Sequence, residues 1–369
     1  MTRVGLIIAL FMVVAGGSQA EPIGGLRFIG GVAFPQGLEV DGTRIGGLSG
    51  LDYDAAKDRF LVLSDDRSDF APARFYEMKL RFADGRLAGA DMQSATILQQ
   101  SDGTPFPNTK QGGEVPDPES IRIDPENHGR LWWTSEGDRP RALKPFLRSM
   151  DRAGKAASEI AIPAMFAMQP GTERGPRSNL AFEALSFAAD GGSLWVGMEG
   201  ALHEDGPLTT PDAGTVSRFS HFGRDGRLLG QYAYPVDAVP GRPGVGKAAD
   251  NGVTEILALD ARRILVLERA AIQDETGAFR NDIRLYEADL TSASDISDLS
   301  GLRGESYRPM TKRSVANLGV LMQDARIDNI EGMSWGPTLA NGGRTLIFVS
   351  DDNFNKTQVT QVLAFEVLP

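Results

Sequence analysis

Carboxylate side chains recur at both ends of short paired strand patterns along this chain. Residues 330–335 and 345–350 predict two strands joined by the turn Asn341-Gly342-Gly343, with Glu331 near the start of the first strand and Asp351 after the second. Antiparallel pairing brings those two points to the same end of a hairpin. We therefore expect Glu331 and Asp351 to face each other at one rim.

The same arrangement recurs in four earlier segments. The carboxylates that flank three of these hairpins are Glu119 and Glu136, Glu183 and Glu199, and Glu255 and Glu268. The first segment has Ser49 in place of the opening glutamate and returns to Asp65. The copies lie roughly 65 to 75 residues apart, a period that indicates a propeller or an array. If the opening strand is innermost in each repeat, these side chains gather around one channel mouth.

A ring of closely spaced carboxylates either takes up protons or binds cations, because two such charges about 4 Å apart repel by about 4 kcal/mol at an effective dielectric constant near 20. Oxygen ligands without histidine or thiolate favour Ca²⁺ or Mg²⁺ over Zn²⁺. The chain has 3 histidines and no cysteine. We therefore predict a divalent cation site, with Ca²⁺ first and Mg²⁺ second. The predicted metal ligands are Glu119, Glu183, Glu255, Glu331, Asp351 and Asp65.

The remaining carboxylates and nearby arginines suggest an ester hydrolase. The cation would polarise an ester oxygen and activate water. We assign the supporting catalytic roles, as partners or general bases, to Glu136, Glu199 and Glu268. Guanidinium groups bind phosphate and carboxylate oxygens well. We therefore predict that the substrate anion is bound by Arg67, Arg177 and Arg269. The expected substrate is a small ester, a phosphoester first.

Other interpretations stay open. The carboxylates could cap strand ends and pair with arginines, or the ring could bind an organic cation without a metal. A non-catalytic propeller could hold a structural cation and recognise a ligand or protein through loops 163–180 and 236–252. A nucleophilic Ser49 with His203 is a weaker alternative, because the segment around Ser49 opens a strand instead of turning into a helix. These alternatives leave open whether the protein is an enzyme.

Positioning these side chains requires an all-β chain of repeated four-stranded units. The chain has 43 glycines, short strand patterns and no long amphipathic pattern. The middle repeats show four strands each, the last repeat shows three, and Leu26–Phe34 precedes the first repeat. We predict a single closed β-propeller with five blades, or six if an insertion hides strands. The N-terminal strand is expected to complete the last blade and so remove an open edge.

The first twenty residues have the features of a secretory signal. Arg3 precedes the apolar run Val4–Ala15, and Ser18-Gln19-Ala20 offers small residues for cleavage after Ala20. The apolar run is short for a membrane span. We predict a signal peptide at 1–20, one domain at 21–369, and a periplasmic or secreted protein without a membrane span in its mature chain.

The charge balance limits the expected partners. The formal net charge is −11, and removing the signal with Arg3 makes it about −12. This charge argues against nucleic acid and against anionic membrane surfaces. We expect a small-molecule ester as the partner and a monomeric protein.

Several segments together match a known family pattern. They are Gly46-Gly47-Leu48-Ser49-Gly50-Leu51, Leu63-Ser64-Asp65-Asp66-Arg67-Ser68, Pro116-Asp117-Pro118-Glu119, Trp133-Thr134-Ser135-Glu136-Gly137-Asp138, Asn179-Leu180-Ala181-Phe182-Glu183, Met198-Glu199-Gly200, Leu267-Glu268-Arg269, Asn329-Ile330-Glu331-Gly332-Met333 and Ser350-Asp351-Asp352-Asn353-Phe354. In this order they resemble the phytase-like family of exported proteins, described as "esterase-like activity of phytase". The resemblance implies a propeller and a hydrolase of phosphate or other esters. Its likeness to the calcium-dependent propeller phytases is one of architecture and acidic rim.

Overall fold

The computed structural model describes residues 21–323 and 325–369. The predicted signal peptide at 1–20 lies outside these described residues. The chain starts with β1 (Gly25–Ala33), followed by a small hairpin of β2 (Glu39–Val40) and β3 (Thr43–Arg44). A short 3₁₀ helix (Ala164–Phe166) and the helix α1 (Leu318–Met322) interrupt the strands that follow. Within the described residues, no helix has the length and apolar character that a membrane crossing requires.

Four consecutive groups of four strands form the first four blades. Blade one contains β4 (Leu48–Asp54), β5 (Arg59–Ser64), β6 (Arg74–Ala83) and β7 (Arg86–Ile97). Blade two contains β8 (Pro118–Ile123), β9 (Arg130–Ser135), β10 (Phe146–Asp151) and β11 (Ala156–Ile160). Blade three contains β12 (Phe182–Phe187), β13 (Ser193–Met198), β14 (Thr215–Gly223) and β15 (Leu228–Val236). Blade four contains β16 (Ala249–Ala258), β17 (Arg263–Gln273), β18 (Phe279–Asp289) and β19 (Thr311–Asn317).

Blade five joins the two ends of the chain. It contains β20 (Asn329–Trp335), β21 (Thr345–Asp351) and β22 (Gln361–Leu368), and β1 pairs antiparallel with β22 as its outermost strand. Gly25 lies opposite Leu368, and Phe28 lies opposite Phe365. The predicted five-bladed propeller, with the N-terminal strand completing the last blade, is therefore confirmed.

The first strand of each blade is the innermost one. β4, β8, β12, β16 and β20 contact one another in this order, and β20 contacts β4. Each inner strand is covered on both faces by neighbouring blades, so nearly every side chain of β8, β12 and β20 is buried. Blade one packs especially closely, because a Cβ atom added at Gly50 would lie 2.6 Å from the carbonyl oxygen of Glu119. The opening residues Glu119, Glu183 and Glu331 therefore lie on the strands that surround the axis.

Apolar side chains from adjacent blades interlock to form the core. Leu267 and Leu285 of blade four pack in one cluster with Phe348 and Phe365 of blade five. Other clusters of the same kind join the remaining neighbouring blades. This inter-blade packing holds the starts of the inner strands, and thus their carboxylates, in fixed positions.

Candidate metal centre

A register irregularity marks the start of every inner strand. The pairing shifts between Leu48 and Gly50 in β4, and equivalent shifts occur in β8, β12, β16 and β20. A bulge leaves a residue without a ladder partner and redirects its side chain. The residues at this inner position, in blade order, are Ser49, Glu119, Glu183, Thr254 and Glu331.

A second position lies at the end of the neighbouring strand. The N–H of Glu136 donates to the carbonyl of Asp117 at 2.9 Å, and the N–H of Glu199 donates to Ala181 at 2.8 Å. In the other three blades, the equivalent residue pairs in the same way with the residue two places before the inner position. The residues at this returning position, in blade order, are Asp65, Glu136, Glu199, Arg269 and Asp351.

The prediction for blade four is corrected by this register. Glu255 and Glu268 were expected at the inner and returning positions, but the structure places Thr254 and Arg269 there. Each predicted carboxylate lies one residue away from the expected position. Because successive side chains of a strand point to opposite faces, a one-residue difference changes which groups the side chain meets.

Glu255 lies in a separate, well-compensated cluster. Its carboxylate pairs with the Arg122 guanidinium at 2.7 Å and accepts hydrogen bonds from the Ser120 hydroxyl at 2.8 Å and the Leu185 N–H at 3.1 Å. Burial raises the pKa of Glu255 to about 7, against the lowering effect of Arg122. Arg122 also donates to the carbonyl oxygen of Leu51 at 2.6 Å. Through these hydrogen bonds and the ion pair, Glu255 is linked to the inner strands β4, β8 and β12.

Glu268 also has partners of its own. The Tyr234 hydroxyl donates to Glu268 Oε1 at 2.8 Å, and the Asn251 amide donates to Oε2 at 2.8 Å. Lys312 Nζ pairs with Oε1 and lies 4.1 Å from the centre of the Tyr286 ring. Lys312 and Asn251 of blade four and Tyr234 of blade three thus compensate the buried Glu268 carboxylate.

Eight carboxylates remain together around the axis, and we call this group the mouth. Its members are Asp65, Asp117, Glu119, Glu136, Glu183, Glu199, Glu331 and Asp351. All are buried except Asp65, which is partly exposed. Two trios have oxygen atoms within 4.8 Å of one another, Asp117 with Glu119 and Glu136, and Glu136 with Glu183 and Glu199. The trios share Glu136, so this buried acidic cluster can hold a metal ion.

Every carboxyl group of the mouth has a raised pKa. Burial is the largest cause, and repulsion by neighbouring carboxylates adds to it in most of the group. The pKa values of Asp117, Glu199 and Glu331 rise to about 7, because nearby arginines oppose the effect of burial. The pKa values of Glu119 and Glu183 rise well above their usual range. The nearby arginines therefore compensate only part of the negative charge that the mouth would carry if all its carboxyl groups were ionised.

Arg269 is the cation placed among these carboxylates. Its Nη2 lies 2.8 Å from Glu199 Oε1 and 3.5 Å from Glu331 Oε1, and its Nη1 lies 3.8 Å from Asp250 Oδ1. At the inner position of the same blade, the Thr254 hydroxyl is buried and has no hydrogen-bond partner among the described residues. Blade four thus contributes a guanidinium and a free hydroxyl where the other blades contribute mostly acids.

On the side of blades one and five, Asn329 organises the acids. Its side-chain amide donates to Glu331 Oε1 at 2.9 Å and to Asp351 Oδ2 at 3.1 Å. Asp351 also accepts the Asn353 N–H at 2.6 Å. The amide therefore holds Glu331 and Asp351 together at one rim, as the hairpin pattern predicted.

The other two predicted substrate-binding arginines are engaged differently. Arg67 pairs with Asp138 and lies 3.6 Å from Asp117 Oδ2, so it borders the mouth. Arg177 donates to the carbonyl oxygens of Ala201 and Gly206. Its guanidinium therefore holds a loop of blade three.

Two residues of the site were missed as ligand candidates in the sequence. Asp117 lies two residues before Glu119, a spacing that places both side chains on one face of an extended segment. That spacing was the available signal. Thr254 offered no signal, because only the register of β16 identifies its position.

Comparisons with known proteins give one family match and several similarities in structure. Residues 43–354 match the family "Phytase-like: Esterase-like activity of phytase". No curated protein sequence matches the chain. A putative oxidoreductase (glucose dehydrogenase) from Thermus thermophilus has 13% identity and a TM-score of 0.38, covering 92% of this chain and 100% of that chain. The RS223 β-xylosidase has 9% identity and a TM-score of 0.39, covering 92% and 94%.

The family match spans most of the chain, and it includes the carboxylates of all the blades that contribute them. The resemblance inferred from the motifs is therefore confirmed. The chain belongs to the phytase-like family, whose description is esterase-like activity of phytase.

Proposed function

We propose that this protein is an exported hydrolase of phosphate or other esters that acts with a divalent cation, Ca²⁺ first and Mg²⁺ second. The observation that carries the proposal is the pair of buried carboxylate trios that share Glu136. Buried acids with oxygen atoms this close are costly unless they are protonated or bind a cation. Hard oxygen ligands without nitrogen or sulfur suit Ca²⁺ and Mg²⁺.

The residues present fit such an ion. The ligands that we propose are the five carboxylates of blades two and three, Asp117, Glu119, Glu136, Glu183 and Glu199. The buried hydroxyl of Thr254, at the inner position of blade four, has no partner among the described residues and is available as a further oxygen ligand. Glu255 and Glu268 are left out of this set, because Arg122 and Lys312 already compensate them.

The remaining groups of the mouth suit ester chemistry. A bound divalent cation would polarise the ester and lower the pKa of a water molecule. Glu331, which is outside the proposed ligand set, has a pKa of about 7, which suits proton transfer near neutral pH. It lies beside Arg269, whose guanidinium can hold an oxygen of the substrate anion. Arg67, at the Asp117 side, can contact the same anion from blade one.

Thermal unfolding tests the cation site first. The full chain is unfolded in chelator and then with added Ca²⁺ or Mg²⁺. At about 100 times its dissociation constant, the ion should stabilise the fold by about 2.7 kcal/mol. Glu136→Gln should remove most of this gain, whereas Glu305→Gln, at an exposed glutamate, should keep it. No shift with either ion would contradict the metal mechanism.

Turnover then separates an enzyme from a binding protein. A phosphomonoester and a carboxyl ester are offered to the Ca²⁺-loaded protein and to Glu331→Gln. Turnover that the substitution abolishes, with unfolding unchanged, supports hydrolysis. Cation binding without turnover of any ester would favour a non-catalytic ligand- or protein-binding propeller with a structural ion.

Export is the remaining part of the proposal, and it rests on the sequence of residues 1–20. Expression of the full chain in a Gram-negative host and mass measurement of the periplasmic fraction test it. A product that begins at Glu21 supports cleavage after Ala20. Retention of the whole chain in the cytoplasm would contradict export.

A further inference from the structure

Two phenylalanines form a stack on the face of the propeller that carries the mouth. Phe70, in the loop between β5 and β6, is 62% exposed. Its ring stacks on Phe354, in the loop between β21 and β22, with centroids 4.3 Å apart and an interplanar angle of 18°. β5 ends just before Asp65, and β21 ends at Asp351. We call this pair the aromatic platform.

The aromatic platform adjoins the acids directly. A Cβ atom added at Gly47 would clash with Asp65 Oδ1 and would lie 2.9 Å from Phe354 Cε2. The ring and the carboxylate therefore meet above the same glycine. The Phe354 end of the platform therefore borders the mouth at Asp65.

The Phe354 side of the platform is held in a strained conformation. Asn353 and Phe354 have φ angles of 46° and 49°, which residues other than glycine rarely adopt. Asp351 accepts the Asn353 N–H at 2.6 Å, and Asp352 accepts the Phe354 N–H at 3.2 Å. Strain of this kind persists where the surroundings enforce it, often at functional sites. The turn that presents Phe354 is thus built by carboxylates of the rim.

The Phe70 side is held by a buried ion pair. Asp66 accepts the N–H groups of Asp69, Phe70 and Ala71 at 2.8, 3.1 and 2.8 Å. Arg74 Nη1 pairs with the same carboxylate at 2.8 Å, and both side chains are fully buried. Phe70 is therefore an exposed ring on a rigid support. A rigid aromatic face in water loses little conformational freedom when a ligand covers it.

We propose that the aromatic platform is a subsite for an aryl group on the alcohol part of the ester. This proposal rests on the proposed ester function and names its substrate class. The planar group stacks on the open face of Phe70, while the ester oxygens reach the mouth over Gly47. Aromatic pairs in offset stacks contribute beyond simple burial, so the platform should favour aryl over alkyl esters by about tenfold.

Binding of two phosphomonoesters to the Ca²⁺-loaded full chain tests this subsite. Phenyl phosphate and ethyl phosphate carry the same ester, and only the first has a ring. Calorimetry should show that Phe70→Ala weakens phenyl phosphate binding about tenfold more than ethyl phosphate binding. Phe70→Trp should keep the preference. Phe279→Ala, which removes a phenylalanine that is 57% exposed at the start of β18, should change neither affinity.

The outcomes separate this proposal from the function on which it rests. Equal losses for both ligands, or no loss, in Phe70→Ala would overturn the subsite and leave the ester function standing. Cyclohexyl phosphate bound as tightly as phenyl phosphate would overturn the aryl assignment. If the wild-type protein binds none of these phosphates and none of the corresponding acetate esters, both the subsite and the ester function are overturned. A selective loss of phenyl phosphate without turnover would support the subsite and contradict hydrolysis.

Discussion

The axis of this propeller carries two groups of buried charges that are compensated in different ways. One is the mouth, with eight carboxylates and Arg269 between two of them. The other is the ion pair of Arg122 and Glu255, which we call the axial plug. Both consist of ionisable side chains from the two inner strands of the blades, and all of these side chains except Asp65 are mostly buried. Their difference lies in what surrounds each charge.

The axial plug joins the inner strands of all five blades. From β8, Arg122 donates to carbonyl oxygens of Leu51, Ile256 and Met333 on β4, β16 and β20. Its partner Glu255 accepts the Leu185 N–H of β12. One positive and one negative charge meet there, and most of their hydrogen-bonding groups are used. This is a structural arrangement, whereas the uncompensated acids of the mouth are an arrangement for a ligand.

Removing half of the axial plug should give the largest effect. Arg122→Met leaves Glu255 buried without its counter-charge, and breaking a buried pair in this way costs about 3–5 kcal/mol. Urea unfolding of the variant measures the loss. The double variant Arg122→Met/Glu255→Leu, which removes both charges, should recover part of it. A loss below about 1 kcal/mol in the single variant would contradict the structural role.

A substitution in the mouth should instead change cation binding. Glu136→Gln removes the carboxylate that both trios share, so Ca²⁺ affinity should fall by at least about tenfold, equivalent to about 1.4 kcal/mol. Glu183→Gln affects one trio and should have a smaller effect. Titration of the thermal midpoint with Ca²⁺ compares the two variants. Equal effects would contradict the shared position of Glu136.

The response of the pH dependence of stability to Ca²⁺ should separate the two clusters, because the pKa of Glu255 in the axial plug is also raised to about 7. The folded-state pKa values of Asp117, Glu199 and Glu331 are raised to about 7, so these groups stabilise the fold while protonated. That stabilisation is complete below their unfolded pKa values near 4 and is lost as pH rises through about 7. In chelator, the unfolding free energy should therefore fall by at least about 1.4 kcal/mol between pH 4.5 and pH 7.5.

Saturating Ca²⁺ should reverse or flatten this dependence, because a bound cation favours the ionised carboxylates. Urea unfolding at pH 4.5, 6.0 and 7.5, with chelator or with Ca²⁺, gives the comparison. Identical profiles under the two conditions would contradict cation binding at the mouth.

Thr254 should give the smallest effect. Thr254→Val replaces a buried hydroxyl that has no partner among the described residues with a methyl group of similar size. Relief of that unsatisfied group should stabilise the chelated protein by about 1 kcal/mol. If the hydroxyl faces the ion, the gain should shrink in Ca²⁺. The same gain under both conditions would place Thr254 outside the cation site.

Much of the fold could be predicted because its signals are local. Turn residues and short apolar runs mark each hairpin, and their repetition gives the number of blades. The missing strand of the last repeat and the extra strand at the N-terminus predicted that β1 would pair within blade five, as it does. The placement of Glu331 and Asp351 at one rim followed from a single hairpin.

The register of blade four could not be predicted in the same way. Thr254-Glu255 and Glu268-Arg269 each place a carboxylate next to a residue of another kind. Either residue of each pair could occupy the inner or returning position without changing the apolar pattern of these short strand ends. Only the hydrogen bonds between β16 and β17, with their irregularity between Val253 and Glu255, place Thr254 and Arg269 at the two positions. The assignment therefore depends on contacts across strands.

The sequence by itself determined the repeated strands, the blade number and the supply of carboxylates at the rim, because each depends on neighbouring residues. The tertiary structure decided which of these carboxylates are compensated. Arg122 and Glu255 belong to different blades and meet only when the ring of inner strands is formed. Burial and the choice of partners then separate a paired glutamate that holds the axis from acids that are free to bind a cation.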